Sequence, residues 1–247
     1  MSSHTDNLPP YQEKQPLIEV GAPVASPAAG RIAGSVQTCS IRDNQVDYLK
    51  IDRVSATSYD ICLTVDPTPL YRIQLVSEFS KVGNIQIFSL SDITLPPIAA
   101  ARLSANPKSK TEPIATICTS SPSEPDALWR PMARKSGTFS IHEYLSDIPI
   151  VTVPGLPATP HRFLWMSRHL SEPYYKLEWE GPLPMIPASM SNDSKRGAEY
   201  VFATIARKTA DGGANLVEIR RGGGLEFELT VILQLFVILH FAQVELI

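Results

Sequence analysis

The chain has 247 residues, 22 Lys+Arg against 25 Asp+Glu for a formal charge of −3, and an apolar fraction of 43%. So much apolar side chain excludes a wholly disordered polymer, and the near-neutral balance argues against a general nucleic-acid binder, which needs a basic face against phosphates. Cys39, Cys62 and Cys118 are too few and too scattered for a disulfide framework or a zinc site.

The first residues contain no apolar core behind a basic start, so a secretory signal is not expected. The sequon Asn192-Asp193-Ser194 therefore reads as an accident, and an intracellular, cytoplasmic chain is the expectation. Residues 1–42 read as a disordered arm. Pro9, Pro10, Pro16, Pro23 and Pro27 stand among small and polar residues, with neither a strand nor a helix period. Within the arm, Leu8-Pro9-Pro10-Tyr11 matches the short proline-tyrosine pattern that WW domains bind. A preformed polyproline helix docks there on an aromatic groove. A WW-domain protein is thus a candidate partner.

Of the 22 prolines, seven lie between Pro96 and Pro131, eight between Pro149 and Pro187, and none beyond. Proline lacks the donor that helix interiors and central ladders need. Long helices are therefore disfavoured between residues 90 and 190, and short strands separated by turns are expected.

Strand signals recur from about Asp43. Strands are expected near 59–65 and at Tyr71, Ile73 and Leu75, which alternate with Arg72 and Gln74. Ile85 and Ile87 follow a turn at Gly83-Asn84. Further strands are expected near 97–104, 113–118, 137–141, 149–153 and 161–168. Tyr175, Leu177 and Trp179 alternate with Lys176, Glu178 and Glu180, and 199–207 and 215–220 complete the series. Alternation puts one face on a core and one in water, as antiparallel sheets allow. A dozen such strands predict a sandwich or barrel. Leu216–Arg221, Gly222-Gly223-Gly224 and Leu225–Leu229 read as a hairpin with glycines at the turn. Glu178/Glu180 and Glu226/Glu228 then fall on solvent faces.

The stretch Leu229–Val244, LTVILQLFVILHFAQV, is apolar at twelve of sixteen positions and carries no formal charge. As a helix, apolar all round, it must be enclosed by protein or lipid. Three readings compete. A membrane anchor over 229–244 would rise about 24 Å against a hydrocarbon core of roughly 30 Å. One or two buried strands suit its Val, Ile and Phe content. A helix of about 230–246 enclosed by the sheet fits both its length and its mild polarity, with His240 as a core histidine.

The run from Tyr200, YVFATIARK and then LVEIRRGGGLEFELTVILQLFVIL, with FLWMS at Phe163–Ser167 and YKLEW at Tyr175–Trp179, resembles a fungal family of uncharacterised domains. That family is similar to the tubby C-terminal, LURP-one and phospholipid scramblase group. The resemblance covers roughly residues 45–247. It implies a mainly β, closed antiparallel barrel of about twelve strands over residues 43–247, threaded by the hydrophobic C-terminal helix. It also implies an anionic lipid headgroup, a phosphoinositide above all, as candidate ligand at a membrane surface. No residue set aligns with the group's basic pocket. Lys195-Arg196, Arg207-Lys208 and Arg220-Arg221 read as solvated strand ends. The cysteine-rich and acidic calcium-binding segments of the scramblases are absent.

Catalytic signatures are missing. There is no G-x-S-x-G elbow and no phosphate-cradling G-x-x-x-x-G-K-[ST]. His142-Glu143 does not extend into a zincin helix, and His161 and His169 lack ligand partners at metal-binding spacing. Trp129, Trp165 and Trp179 read as core or rim packing. The expectation is a non-enzymatic binding or adaptor module with no cofactor.

Overall fold

A computed structural model describes residues 41, 45–76, 82–89, 94–105, 112–136, 142–167, 174–180, 201–206 and 215–241. The arm with Leu8–Tyr11, the expected strand at 137–141 and the pairs Lys195-Arg196 and Arg207-Lys208 lie outside these residues.

Alternating apolar side chains build twelve strands: β1 (Val46–Arg53), β2 (Ser58–Leu63), β3 (Asp66–Leu75), β4 (Ile85–Ser89), β5 (Ala99–Leu103), β6 (Ala115–Cys118), β7 (Arg130–Ser136), β8 (His142–Ile150), β9 (Thr159–Met166), β10 (Tyr174–Trp179), β11 (Val201–Ala206) and β12 (Asn215–Arg220). Each pairs antiparallel with its sequence neighbour, and β1 pairs with β12 to close a barrel. Closure leaves no edge strand to recruit another chain. The closing register, with Leu49↔Val217 and Asp47↔Ile219, sets the buried Leu49 of the first strand beside the buried Val217 of the last.

Some prolines depart from the expected turns. Pro67 and Pro69 lie in β3, Pro131 in β7, Pro149 in β8 and Pro160 in β9. Register shifts at Ile61/Cys62 and Cys62/Leu63 accompany the first two, as bulges do where a ladder donor is lost. Pro149 faces Pro160, which gathers two missing donors at one rung near the rim.

One helix among the described residues, α1 (Leu225–Phe241), follows β12. Thirteen consecutive residues, Phe227 to Leu239, are buried. Its side chains meet β3 through Tyr71 and β9 through Trp165, strands that stand half a circuit apart in the barrel. The helix therefore runs through the lumen, and its all-round apolar sequence is the consequence. Tyr59 of β2 packs edge-on against Phe236 at 5.5 Å between centroids. Ala99, Ala101 and Ala115 form a low wall on β5 and β6, the side the helix approaches closely. Phe163, Trp165, Trp179 and Phe202 fill the wider space beside β9, β10 and β11.

Four expectations are corrected. The hairpin Leu216–Leu229 does not form: β12 ends at Arg220 and the helix starts at Leu225, five residues earlier than the 230 expected. The three glycines turn the chain into the lumen. Gly222 and Gly224 take φ of 90° and 91°, which glycine adopts without strain. The strand alternative for the apolar stretch falls with this. Second, Glu226 and Glu228 do not share a solvent face; on a helix that spacing diverges, and Glu228 is buried. Third, Glu178 is only 4% exposed, at a register shift against β11 that breaks strict alternation. Fourth, His240 is exposed, near the far end of α1 as it leaves the core.

Candidate functional site: a pocket at the barrel mouth

In an up-and-down barrel alternate connections share a rim. Among the described residues, the rim at which the helix enters is formed by the β2–β3, β4–β5, β6–β7 and β8–β9 connections. The Val151 amide donates to the Gly223 carbonyl at 2.9 Å, tying the β8–β9 connection to the turn that feeds α1. At Gly223 a Cβ would stand 2.6 Å from Cδ1 of Phe227, so the turn and the first helical ring are in close contact.

Just inside this mouth lies a cluster of buried charge. Arg221, 3% exposed, pairs through its guanidinium with the Glu228 carboxylate and through Nε with Asp47 Oδ2 at 2.6 Å. The Tyr71 hydroxyl donates to Glu228 Oε1 at 3.2 Å. Burial pushes the Glu228 carboxyl up, opposed by the Arg221 charge and the Tyr71 hydrogen bond. Burial also works against the charge on Arg221, yet Glu228 and Asp47 outweigh it and hold that group above its usual range. The Tyr71 phenol is raised well above its ordinary value by burial and by the neighbouring carboxylate. Of the Arg220-Arg221 pair, only Arg220 behaves as a strand-end side chain, its Nε donating to the Val201 carbonyl at 3.0 Å. Deeper in the lumen, Gln234 accepts from Trp165 Nε1 at 2.7 Å and donates to Ser146 Oγ at 2.6 Å. Both ends of this buried amide are satisfied.

Beside the charge cluster, between the first turns of α1 and the β3–β6 wall, opens a pocket of about 380 Å³. Leu95, Pro96, Pro97 and Ile98 of the β4–β5 connection form one side, and Leu225 and Leu229 the other. Tyr71, Ser89 and the run Thr119–Ser121 complete it. Its volume falls within the range of small-molecule sites, which combine apolar walls with a few polar groups. Two local features mark it. Thr119 is 8% exposed and its Oγ1 has no hydrogen-bond partner among the described residues, a costly state for a buried hydroxyl. Ser121 has φ of 33°, the one positive value at a non-glycine among the described residues; such strain is concentrated at functional sites.

Trp165 and Trp179 are buried in the core, while Trp129 lies half-buried with the Arg102 guanidinium 3.6 Å from its ring centroid. His161 stacks on Trp179 at 4.4 Å, and burial pushes its imidazole down. Among the described residues no group of three or more His, Cys, Asp and Glu could hold a metal, and no helix is long and apolar enough to cross a membrane. The residues of the pocket and the charge cluster were not singled out as a site by sequence reasoning. The usable signal was Glu228, a carboxylate immediately before an apolar stretch and seven residues from Arg221.

No family model, no curated protein and no solved structure matches the chain.

Proposed function

We propose that the chain is a non-enzymatic binding module whose ligand is a small, largely apolar molecule bearing one uncharged polar group, held in the mouth pocket. The observation that carries this reading is the unpartnered Thr119 hydroxyl in a pocket walled by leucine, proline and isoleucine. Apolar walls reward removal of hydrocarbon from water, at about 25 cal/mol per Å². The hydroxyl adds direction, worth about 1 kcal/mol net once bonded. Among the described residues the lining holds no lysine or arginine, and this argues against a phosphoinositide headgroup as its ligand. A membrane anchor over 229–244 would require the barrel to give up the side chains that fill its lumen, and this favours the binding reading.

The test is titration with a neutral fluorophore, N-phenyl-1-naphthylamine. Saturable binding to the folded chain is expected. Ile98→Trp, which fills the pocket, should abolish it, and Thr119→Val should weaken long-chain alcohols about fivefold while leaving hydrocarbons unaffected. Binding that survives Ile98→Trp would sink the reading. Leu8-Pro9-Pro10-Tyr11 adds an adaptor role beside the barrel, through capture of a WW-domain protein, a capture that depends on Tyr11.

A further inference from the structure

Eight large apolar side chains are well exposed among the described residues, and six of them sit at the mouth rim. Val65 (88%) tips the β2–β3 turn, Leu95 the β4–β5 connection and Leu128 (58%) the β6–β7 connection. Val153 and Leu156 (59%) tip the β8–β9 connection, and Leu225 opens the helix. Singly exposed apolar residues are ordinary; their collection on one rim, around the opening of an apolar pocket, is not. Val54 holds the corresponding position at the opposite rim.

We propose that this rim is a docking face for a neutral, zwitterionic lipid bilayer, from which the pocket takes its ligand. The proposal rests on the pocket reading and names the source of the ligand. Three observations select a bilayer. The tips come from four separate connections and the start of α1, so each is carried on its own segment of chain. A rigid protein partner needs a continuous complementary surface, whereas a fluid headgroup layer admits each tip independently. Leu95 and Leu225 belong both to the tips and to the pocket lining, so hydrocarbon is continuous from the rim to the site. Among the described residues the charges beside the tips are mainly acidic: Asp66 follows Val65, Glu124 and Asp126 precede Leu128 with Arg130 after it, and Glu226 follows Leu225. They oppose an anionic surface and suit the outer cation of a phosphocholine headgroup.

The experiment is flotation of the full chain with vesicles of pure phosphatidylcholine, with and without added phosphoinositide, at low and high salt. Binding to the neutral vesicles that changes less than twofold with salt is expected, since burial of apolar tips is not screened. Leu128→Asp with Leu156→Asp should lower partition at least tenfold, roughly the effect of withdrawing two apolar side chains. Both side chains are exposed and neither lines the pocket, so binding of N-phenyl-1-naphthylamine should be unchanged in this variant. Val54→Asp on the opposite rim should leave flotation as it was. No flotation with neutral vesicles, flotation that needs the anionic lipid and is lost in salt, or equal loss with Val54→Asp would overturn the docking face. If the fluorophore still binds in those cases, the pocket reading stands alone; if it does not bind either, both fall.

Discussion

Gln234 is flanked by Leu233 and Leu235 in the most apolar part of the helix, and its two hydrogen bonds explain why a polar residue is kept there. The amide spans Trp165 on β9 and Ser146 on β8, so it fixes both the rotation of α1 and its depth in the barrel. Replacing it with leucine gains apolar surface but strands an indole N–H and a hydroxyl, each costing about 1–3 kcal/mol when buried unsatisfied. Gln234→Leu should therefore lower unfolding free energy by about 2 kcal/mol in a urea titration. Combining it with Ser146→Ala should cost less than the sum of the two single changes; strict additivity would show that the bridge is not made. Glu228 follows the same logic with charge. It is tolerated in the lumen because Arg221 and Tyr71 meet it, and losing one partner leaves the other's charge or hydroxyl uncompensated. Gln234 was visible in the sequence as a polar interruption of an apolar run, and Glu228 as a carboxylate just before it, read there as a solvent-facing strand residue. Their partners were not, since Tyr71 lies 157 positions from Glu228 and only the closed barrel brings them together.

At the scale of elements, alternation was a sound guide wherever one face of a strand met the lumen and the other water. Tyr71, Ile73, Ile85 and Ile87 are buried as their spacing requires. The same rule misled at Leu225–Leu229, where L-E-F-E-L alternates like a strand yet forms the first turns of a helix. Inside a closed lumen every face is buried, so a period of two carries no information about which conformation the backbone takes. The preceding glycines settle the matter sterically. A Cβ at Gly223 would press on the Phe227 ring, itself hemmed in by Phe163 and Phe202 at 6.0 and 6.2 Å. Gly223→Ala should destabilise by about 1–3 kcal/mol through overpacking. Gly155→Ala, with nothing within 4 Å of the new methyl but a φ of 83°, should cost only the left-handed strain of about 1 kcal/mol. The denaturation midpoints of the two variants separate these causes, and adding Phe227→Leu should recover part of the first and none of the second.

For the molecule as a whole, the expected barrel of about twelve strands around a hydrophobic helix is the architecture found. What sequence patterning left out is how the lumen is shared between helix and wall. The alanines of β5 and β6 and the aromatics of β9 to β11 divide the space unequally, a matter of complementary volumes on distant strands. With thirteen residues of α1 buried, the barrel has no dense interior without it. A chain ending after Gly224 should lose its cooperative thermal transition and bind hydrophobic dyes, as collapsed but unpacked states do. Co-expressing residues 225–247 with it should restore a single transition; a cooperative melt of the truncated chain alone would show that the helix is dispensable to the fold.

The position of α1 after all twelve strands also orders events during synthesis. A ribosome completes the whole wall before it makes the segment that belongs inside. For that interval, about 180 residues of strand-forming chain have emerged or are emerging with β1 and β12 free to pair wrongly, a condition that favours aggregation. The barrel therefore commits to its native closure late, once the last turn of helix has left the exit tunnel. Protection of the nascent strands by chaperones is worth most up to that moment and little after it.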